Sequence, residues 1–161
     1  MNQYLLALGA NLGDREYYIE QAIEAIRTSC GLIIKRAPLL ETEPLGAAQH
    51  TFLNTAIVCH SAREPEDLLR TLHDIESRLG RERSVKWGDR TIDCDVILWR
   101  DREEKSRIWS SSTLQIPHPE AVHRDFVLQP AAAIAGDWIH PIEDRTILQL
   151  WQRLLAIKTH P

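Results

Sequence analysis

Two aspartates one residue apart, Asp93 and Asp95 on either side of Cys94, are the part of this sequence best suited to chemistry. On an extended strand they share a face, with Cα atoms ~6.5–7 Å apart, while Ile92, Cys94, Val96 and Leu98 take the other. Two carboxylates this close repel, and burying them unpaired is costly. A hard divalent cation removes that cost: Mg²⁺ takes one or two carboxylates plus substrate phosphates, and two metals ~3.5–4 Å apart fit such a pair. The competing reading is an open sheet face with both carboxylates in water. Arg81, Arg83, Lys86 and Arg90 come just before the pair. Arginine forks match phosphate oxygens, so a basic loop leading into a carboxylate strand suits a metal-bound polyphosphate. Glu82 and Asp89 interrupt the run, which also fits a solvated charged loop.

Phe52 and Asn54 stand at i and i+2 of another extended run. A ring beside an amide suits a flat heterocycle, one stacking and the other bonding its edge; a core Phe and a hydrogen-bonded strand Asn is the plainer alternative. His118 and Arg124 flank a stretch after Pro117 and could meet phosphate. Glu76, three residues after His73, could accept from a ligand or from an arginine. No GxxxxGK[ST] loop and no nucleophile elbow occurs.

Something must hold these groups in place. Tyr4–Leu8 reads as a buried strand broken by Gly9-Ala10-Asn11-Leu12-Gly13. Asp14 then caps a helix with Ile19, Ala22, Ile23 and Ile26 on one stripe, stopped by Gly31. Leu32–Ile34 opens a second strand, 37–50 reads as a loop, and Thr51–His60 as a third strand. Pro65 starts a helix with Leu68, Leu69, Leu72, Ile75 and Leu79 on its stripe, ended by Gly80. Thr91–Trp99 is the fourth strand. The order β-α-β-β-α-β predicts an α+β, ferredoxin-like fold with an antiparallel sheet. After a loop at Pro117-His118-Pro119, Asp144 would cap a last helix with Ile147, Leu150, Trp151, Leu154 and Leu155 inward. That segment would cover the second face as an α/β/α sandwich.

At 161 residues one domain spanning 1–161 is expected. Lys plus Arg total 19 against 23 Asp plus Glu, a net charge of −4, so duplex nucleic acid is not the expected partner. No apolar run nears ~18 residues and no signal peptide is legible, so neither a membrane span nor export is expected. Cys30, Cys59 and Cys94 are odd in number and widely spaced; they read as buried thiols in a cytoplasmic protein.

Taken in order, several blocks of the chain resemble the 6-hydroxymethyl-7,8-dihydropterin pyrophosphokinase family of folate biosynthesis. They are Gly9-Ala10-Asn11-Leu12-Gly13-Asp14, Thr42-Glu43-Pro44-Leu45-Gly46, Phe52-Leu53-Asn54, Glu76, Gly80-Arg81-Glu82-Arg83, Trp87-Gly88-Asp89-Arg90-Thr91-Ile92-Asp93-Cys94-Asp95, Ile116-Pro117-His118-Pro119 and Arg124-Asp125-Phe126-Val127-Leu128. Leu40, where an aromatic is common, and Asp89, where Pro is usual, depart from the pattern.

The resemblance implies pyrophosphate transfer from MgATP to the pterin's hydroxymethyl oxygen, releasing AMP. It implies that Asp93 and Asp95 hold two Mg²⁺ ions, and that Phe52 and Phe126 sandwich the pterin. Thr42, Leu45, Asn54 and Asp95 would complete the pterin site. Glu76, Arg83, Trp87, Arg90, His118 and Arg124 would surround ATP, with Arg81, Arg83 and Arg90 acting in catalysis. The expected partners are ATP and the pterin, without nucleic acid or membrane, for a monomer or weak dimer. The alternatives are a non-catalytic nucleotide- or RNA-binding ferredoxin-like module and an inactive pterin-binding relative.

Overall fold

The computed structural model describes residues 1–43, 50–80 and 90–159. Leu45, Arg81, Arg83, Lys86, Trp87 and Asp89 lie outside them. The larger elements are β1 (Asn2–Ala10), α1 (Arg15–Ser29), β2 (Gly31–Arg36), β3 (Leu40–Thr42), β4 (Phe52–Ser61), α2 (Pro65–Arg78) and β5 (Asp93–Arg100). Short strands β6 (Ser106–Arg107), β7 (Trp109–Ser110) and β8 (Gln115–Ile116) precede α3 (Asp125–Ala135). A hairpin of β9 (Ile139–His140) and β10 (Arg145–Thr146) leads into α4 (Ile147–Thr159).

The main sheet runs β2-β4-β1-β5-β6, with β3 also paired to β4. Its pairings are antiparallel, compatible with the ferredoxin-like arrangement expected from the element order. Side-chain alternation gives the sheet two apolar faces. Tyr4, Leu6, Leu8, Ile57, Cys59, Cys94 and Val96 pack on α1 and α2 through Ile19, Ile23, Ile26, Leu68, Leu72 and Ile75. Leu5, Ala56, Val58, Ile97 and Leu98 pack on α3 and α4 through Val127, Leu128, Ala131, Ile147 and Leu150. The result is the expected helix–sheet–helix sandwich.

Local chemistry sets most boundaries. Asp14 Oδ1 accepts the Tyr17 N–H at 3.1 Å and caps α1. Pro65 opens α2, and Gly80 follows it at φ 87°. The three cysteines are free and buried, and burial pushes the thiols up to about 11 at Cys30 and about 12 at Cys59.

Several expectations are corrected. β1 runs through Gly9 to Ala10, so Gly9 belongs to the strand; Gly13, at φ 71°, makes the turn. Gly31 begins β2, where a Cβ would lie 2.0 Å from the His60 carbonyl oxygen. The expected loop 37–50 contains β3, which pairs Leu40–Thr42 with Phe52–Asn54. Strict alternation in β5 fails beyond Val96: the register with β1 jumps from Leu6↔Val96 to Leu5↔Leu98. That bulge at Ile97 puts Ile97 and Leu98 together on the α3/α4 face and returns Trp99 to the other. α3 was not anticipated, because Pro130 lies inside it and an interior proline normally argues against helix. Asp144 sits at φ 54° and does not cap α4. Thr146 does: its Oγ1 accepts the Gln149 N–H at 3.1 Å, and Gln149 Oε1 accepts the Thr146 N–H at 2.8 Å. Leu155 faces outward.

Candidate active site

Gly9 lies opposite Asn54 of β4 on one side and opposite Asp93 of β5 on the other; Ala7 lies between Ala56 and Asp95 in the same way. Two strand spacings separate the amide from the carboxylate, ~10 Å. The small residues between them leave the sheet face open. A Cβ at Gly9 would come within 3.0 Å of Asn54 Oδ1 and 3.7 Å of the Phe52 ring. The cleft over this floor is lined by Thr42, Glu43, Phe52, Asn54, Arg90, Asp93, Asp95, Arg124, Phe126 and Val127 as well as the floor itself. Eight expected site residues therefore meet in one place.

Asn54 is 5% exposed. Its Nδ2 donates to Thr42 Oγ1 at 2.7 Å, so β3 fixes the orientation of the amide. Phe52 carries the Arg90 guanidinium over its ring at 5.5 Å, and Arg90 Nη1 also donates to Asp93 Oδ2 at 3.0 Å. Arg124 sits over Phe126 at 5.9 Å. Two cations thus rest on two rings at the borders of one cleft.

A second cleft begins at the same two aspartates. β6 pairs with β5 at Trp99 and Arg100, and the stretch from Asp93 to Val96 lines this cleft together with α2. Leu69, His73 and Glu76 of α2 line this side, with Ser111–Gln115, His118 and Pro119 opposite. Asp93 and Asp95 border both clefts. Glu76, 1% exposed, accepts the Cys94 N–H through Oε2 at 2.7 Å. It grips the backbone between the two aspartates. Glu66 holds the opposite wall, accepting from Trp109 Nε1 at 3.0 Å, Thr113 Oγ1 at 2.8 Å and Ser111 Oγ. Those bonds, that from Ser111 first, lower its pKa.

The His118 N–H donates to the Ile97 carbonyl at 3.0 Å, which seats the loop on the bulge. Its Nδ1 accepts the Glu120 N–H at 3.1 Å, so the neutral ring carries its proton on Nε2. Burial first, then the Arg124 charge, holds this imidazole below its ordinary range, against Asp93 and Glu120. A neutral His118 is a hydrogen-bond donor here without being a cation.

Among the described residues no group of three or more His, Cys, Asp or Glu could hold a metal by itself. Asp93 and Asp95 suit a hard cation that completes its shell with water and ligand phosphate, which is how Mg²⁺ is usually held. The sequence missed Ala7, Leu69, His73 and Ser111–Gln115. Leu69, His73 and Glu76 share one helical face at i, i+4 and i+7, a signal that was available. Ser111–Gln115 carried none, because their place depends on Glu66.

The family model described as 7,8-dihydro-6-hydroxymethylpterin-pyrophosphokinase (HPPK) matches residues 5–136. The chain belongs to the HPPK family. The enzyme named 2-amino-4-hydroxy-6-hydroxymethyldihydropteridine pyrophosphokinase in Synechocystis is 35% identical over 152 residues, covering 93% of this chain and 75% of that one. The Bacillus subtilis protein of that name is 39% identical over 131 residues, covering 80% and 75%. In shape the chain is similar to the HPPK-DHPS of Plasmodium falciparum, with TM-score 0.76, 16% identity, and 99% of this chain against 42% of that one covered. Another HPPK-DHPS structure, in complex with substrates, has TM-score 0.75 at 14% identity and covers 98% and 44%. These two likenesses bear on the α+β fold of the HPPK family. The chain spans under half the length of either.

Proposed function

We propose that the chain transfers the pyrophosphoryl group of ATP to the hydroxymethyl oxygen of 6-hydroxymethyl-7,8-dihydropterin. The oxygen attacks the β-phosphorus, the O–Pβ bond forms, the bond from Pβ to the α,β-bridging oxygen breaks, and AMP leaves with that oxygen as the hydroxyl proton is lost. The observation that carries the reading is the row Asn54–Gly9–Asp93. An amide able to read a heterocycle edge faces, across an open floor, the carboxylate pair that borders a second cleft.

The pterin takes the first cleft, between Phe52 and Phe126 and against Asn54, Thr42 and Asp95. ATP takes the second, with its phosphates toward Arg90, Arg124 and His118 and its remainder along α2 near Glu76. Asp93 and Asp95 would hold Mg²⁺, two ions in this reading, and the bound metal would neutralise charge on the triphosphate. The chain's own work is positioning and charge stabilisation. Arg90 moves from Asp93 and Phe52 toward phosphate oxygen as the clefts fill. His118 donates Nε2–H, and the aromatic walls exclude water. Arg81, Arg83, Leu45 and Trp87 are assigned to the same site from the family pattern alone. The chain works as one domain, 1–161, in the cytoplasm as a monomer or weak dimer. Among the described residues no helix is long and apolar enough to cross a membrane.

The deciding experiment follows AMP released from ATP and Mg²⁺ with and without the pterin. AMP should form only with the pterin present, and Asp95→Ala should abolish it while the far-ultraviolet circular dichroism stays unchanged. ATP breakdown that ignores the pterin, or an undiminished rate in the variant, contradicts the proposal.

A further inference from the structure

Asn11 stands one residue past the central strand and is 2% exposed. β4 and β5 flank β1, so the segments leading into them pass on either side of Asn11. The residue bonds both. Its N–H donates to the Arg90 carbonyl at 3.0 Å, and its Oδ1 accepts the Arg90 N–H at 2.7 Å. Its Nδ2 donates to the His50 carbonyl at 3.0 Å. An amide offers an acceptor and donors on one short stem; a carboxylate would lose the donors, and a hydroxyl is too short to span both segments.

Arg90 is the residue whose placement this fixes. Its side chain is 12% exposed, and the guanidinium lies 3.0 Å from Asp93 Oδ2 and 5.5 Å over Phe52. It touches both the carboxylate pair and the aromatic floor. Arg90 keeps this place only if its backbone does, and Asn11 holds that backbone by both its N–H and its C=O.

We propose that Asn11 is a positioning residue for the transfer, anchoring the Arg90 backbone so that its guanidinium reaches the carboxylate pair while the clefts are open and phosphate as they fill, and tying it to the pterin-side rim at His50. This rests on the pyrophosphoryl-transfer reading above. Because Asn11 acts through Arg90, its loss should matter only while Arg90 is present. A clamp that merely stabilised the fold would lower activity whether or not the arginine was there.

Four proteins test this: the unmutated chain, Asn11→Ala, Arg90→Ala and the double variant. Each is assayed for AMP release at saturating ATP and pterin, and, in the chains that keep Arg90, exchange of its amide proton is followed by NMR. Asn11→Ala should lower kcat roughly 10- to 100-fold, the scale of a misplaced catalytic group. Added to Arg90→Ala it should cost nothing further. Losses that multiply overturn the proposal. The exchange measurement does not depend on turnover. The Arg90 amide should be protected in the unmutated chain, exposed in Asn11→Ala, and protected in Asn11→Asp, which keeps the Oδ1 acceptor. Equal protection with and without the Asn11 side chain overturns the anchor. Should Asn11→Ala fail to fold, Asn11→Asp decides the contact to Arg90: a protected Arg90 amide supports the anchor, and an exposed one defeats it. If the unmutated chain makes no pterin-dependent AMP, the functional reading falls, and the exchange result judges the anchor by itself.

Discussion

Arg90 and Phe126 show how much of this site rests on single side chains. Arg90 spends its charge on Asp93 and its flat face on Phe52. The pair is only slightly exposed, so its attraction is less screened by water than a surface pair would be. Phe126 stands in the first turn of α3, packed partly against Val127 and its neighbours on the second face of the sheet. In the proposed site its free side stacks on the pterin. Phe126→Ala should weaken pterin binding by ~1–3 kcal/mol, the scale of base–aromatic stacking, while leaving ATP binding unchanged. Calorimetric titration of each ligand checks this, and equal pterin affinity in both proteins would remove Phe126 from the site.

Elements explain why the groups meet. The three strands β4, β1 and β5 bring Asn54, Gly9 and Asp93 into one row, and no loop could hold them so closely in register. The bulge at Ile97 turns β5 and seats His118 on its carbonyl. Glu66, at the start of α2, ties down the wall from Trp109 to Thr113. α4 starts at a reciprocal cap between Thr146 and Gln149, far in sequence from the site but packed against α3, which carries Phe126. Thr146→Ala should cost about 1 kcal/mol of stability, read as a lower urea midpoint, with kcat unchanged. A kcat that falls in step would mean that α4 sets the position of Phe126 more tightly than its cap requires.

At the scale of the whole molecule, buried titratable groups set the pH range of stability. His60, His118 and His140 are all held below the ordinary imidazole value of 6.5, with burial the first cause of each. The unfolded chain then binds more protons just below that value, so stability falls as pH drops through 6.5 toward the lower native values. Glu20 and Glu143 are lowered chiefly by hydrogen bonds from Arg36 and Arg153. Their contribution is present above the ordinary value of 4.5 and is lost as pH falls through the native values. Cys30 and Cys59 act at the other end. Unfolded thiols ionise from 9.0 while the native ones stay protonated to about 11 and about 12, so stability falls again as pH rises past 9. Urea midpoints measured from pH 4 to 10 should form a plateau centred between 7 and 9. A midpoint that rises on going from pH 7 to 5 would contradict the burial of the three histidines.

The sequence by itself determined the elements whose signals are local. The 3.6-residue stripes of α1 and α2, the cap at Asp14, the proline at the start of α2 and the alternation in β4 needed nothing beyond neighbouring residues. It also picked out Asp93, Asp95, Phe52 and Asn54, because a repeat of two puts such pairs on one face whatever surrounds the strand. Tertiary structure decided the rest. The extra residue at Ile97 cannot be read from alternation, since a bulge exists only relative to the strand it pairs with. α3 tolerates Pro130 because its apolar side is buried on the sheet, a contact invisible along the chain. Gly9 looked like a breaker until the sheet placed it between Asn54 and Asp93, where the lack of a side chain makes the floor of a cleft. Asn11 could be read only as part of a turn. Its bonds to His50 and Arg90 span 39 and 79 positions of sequence, and only the packing of β4 and β5 around β1 brings both segments to the same residue.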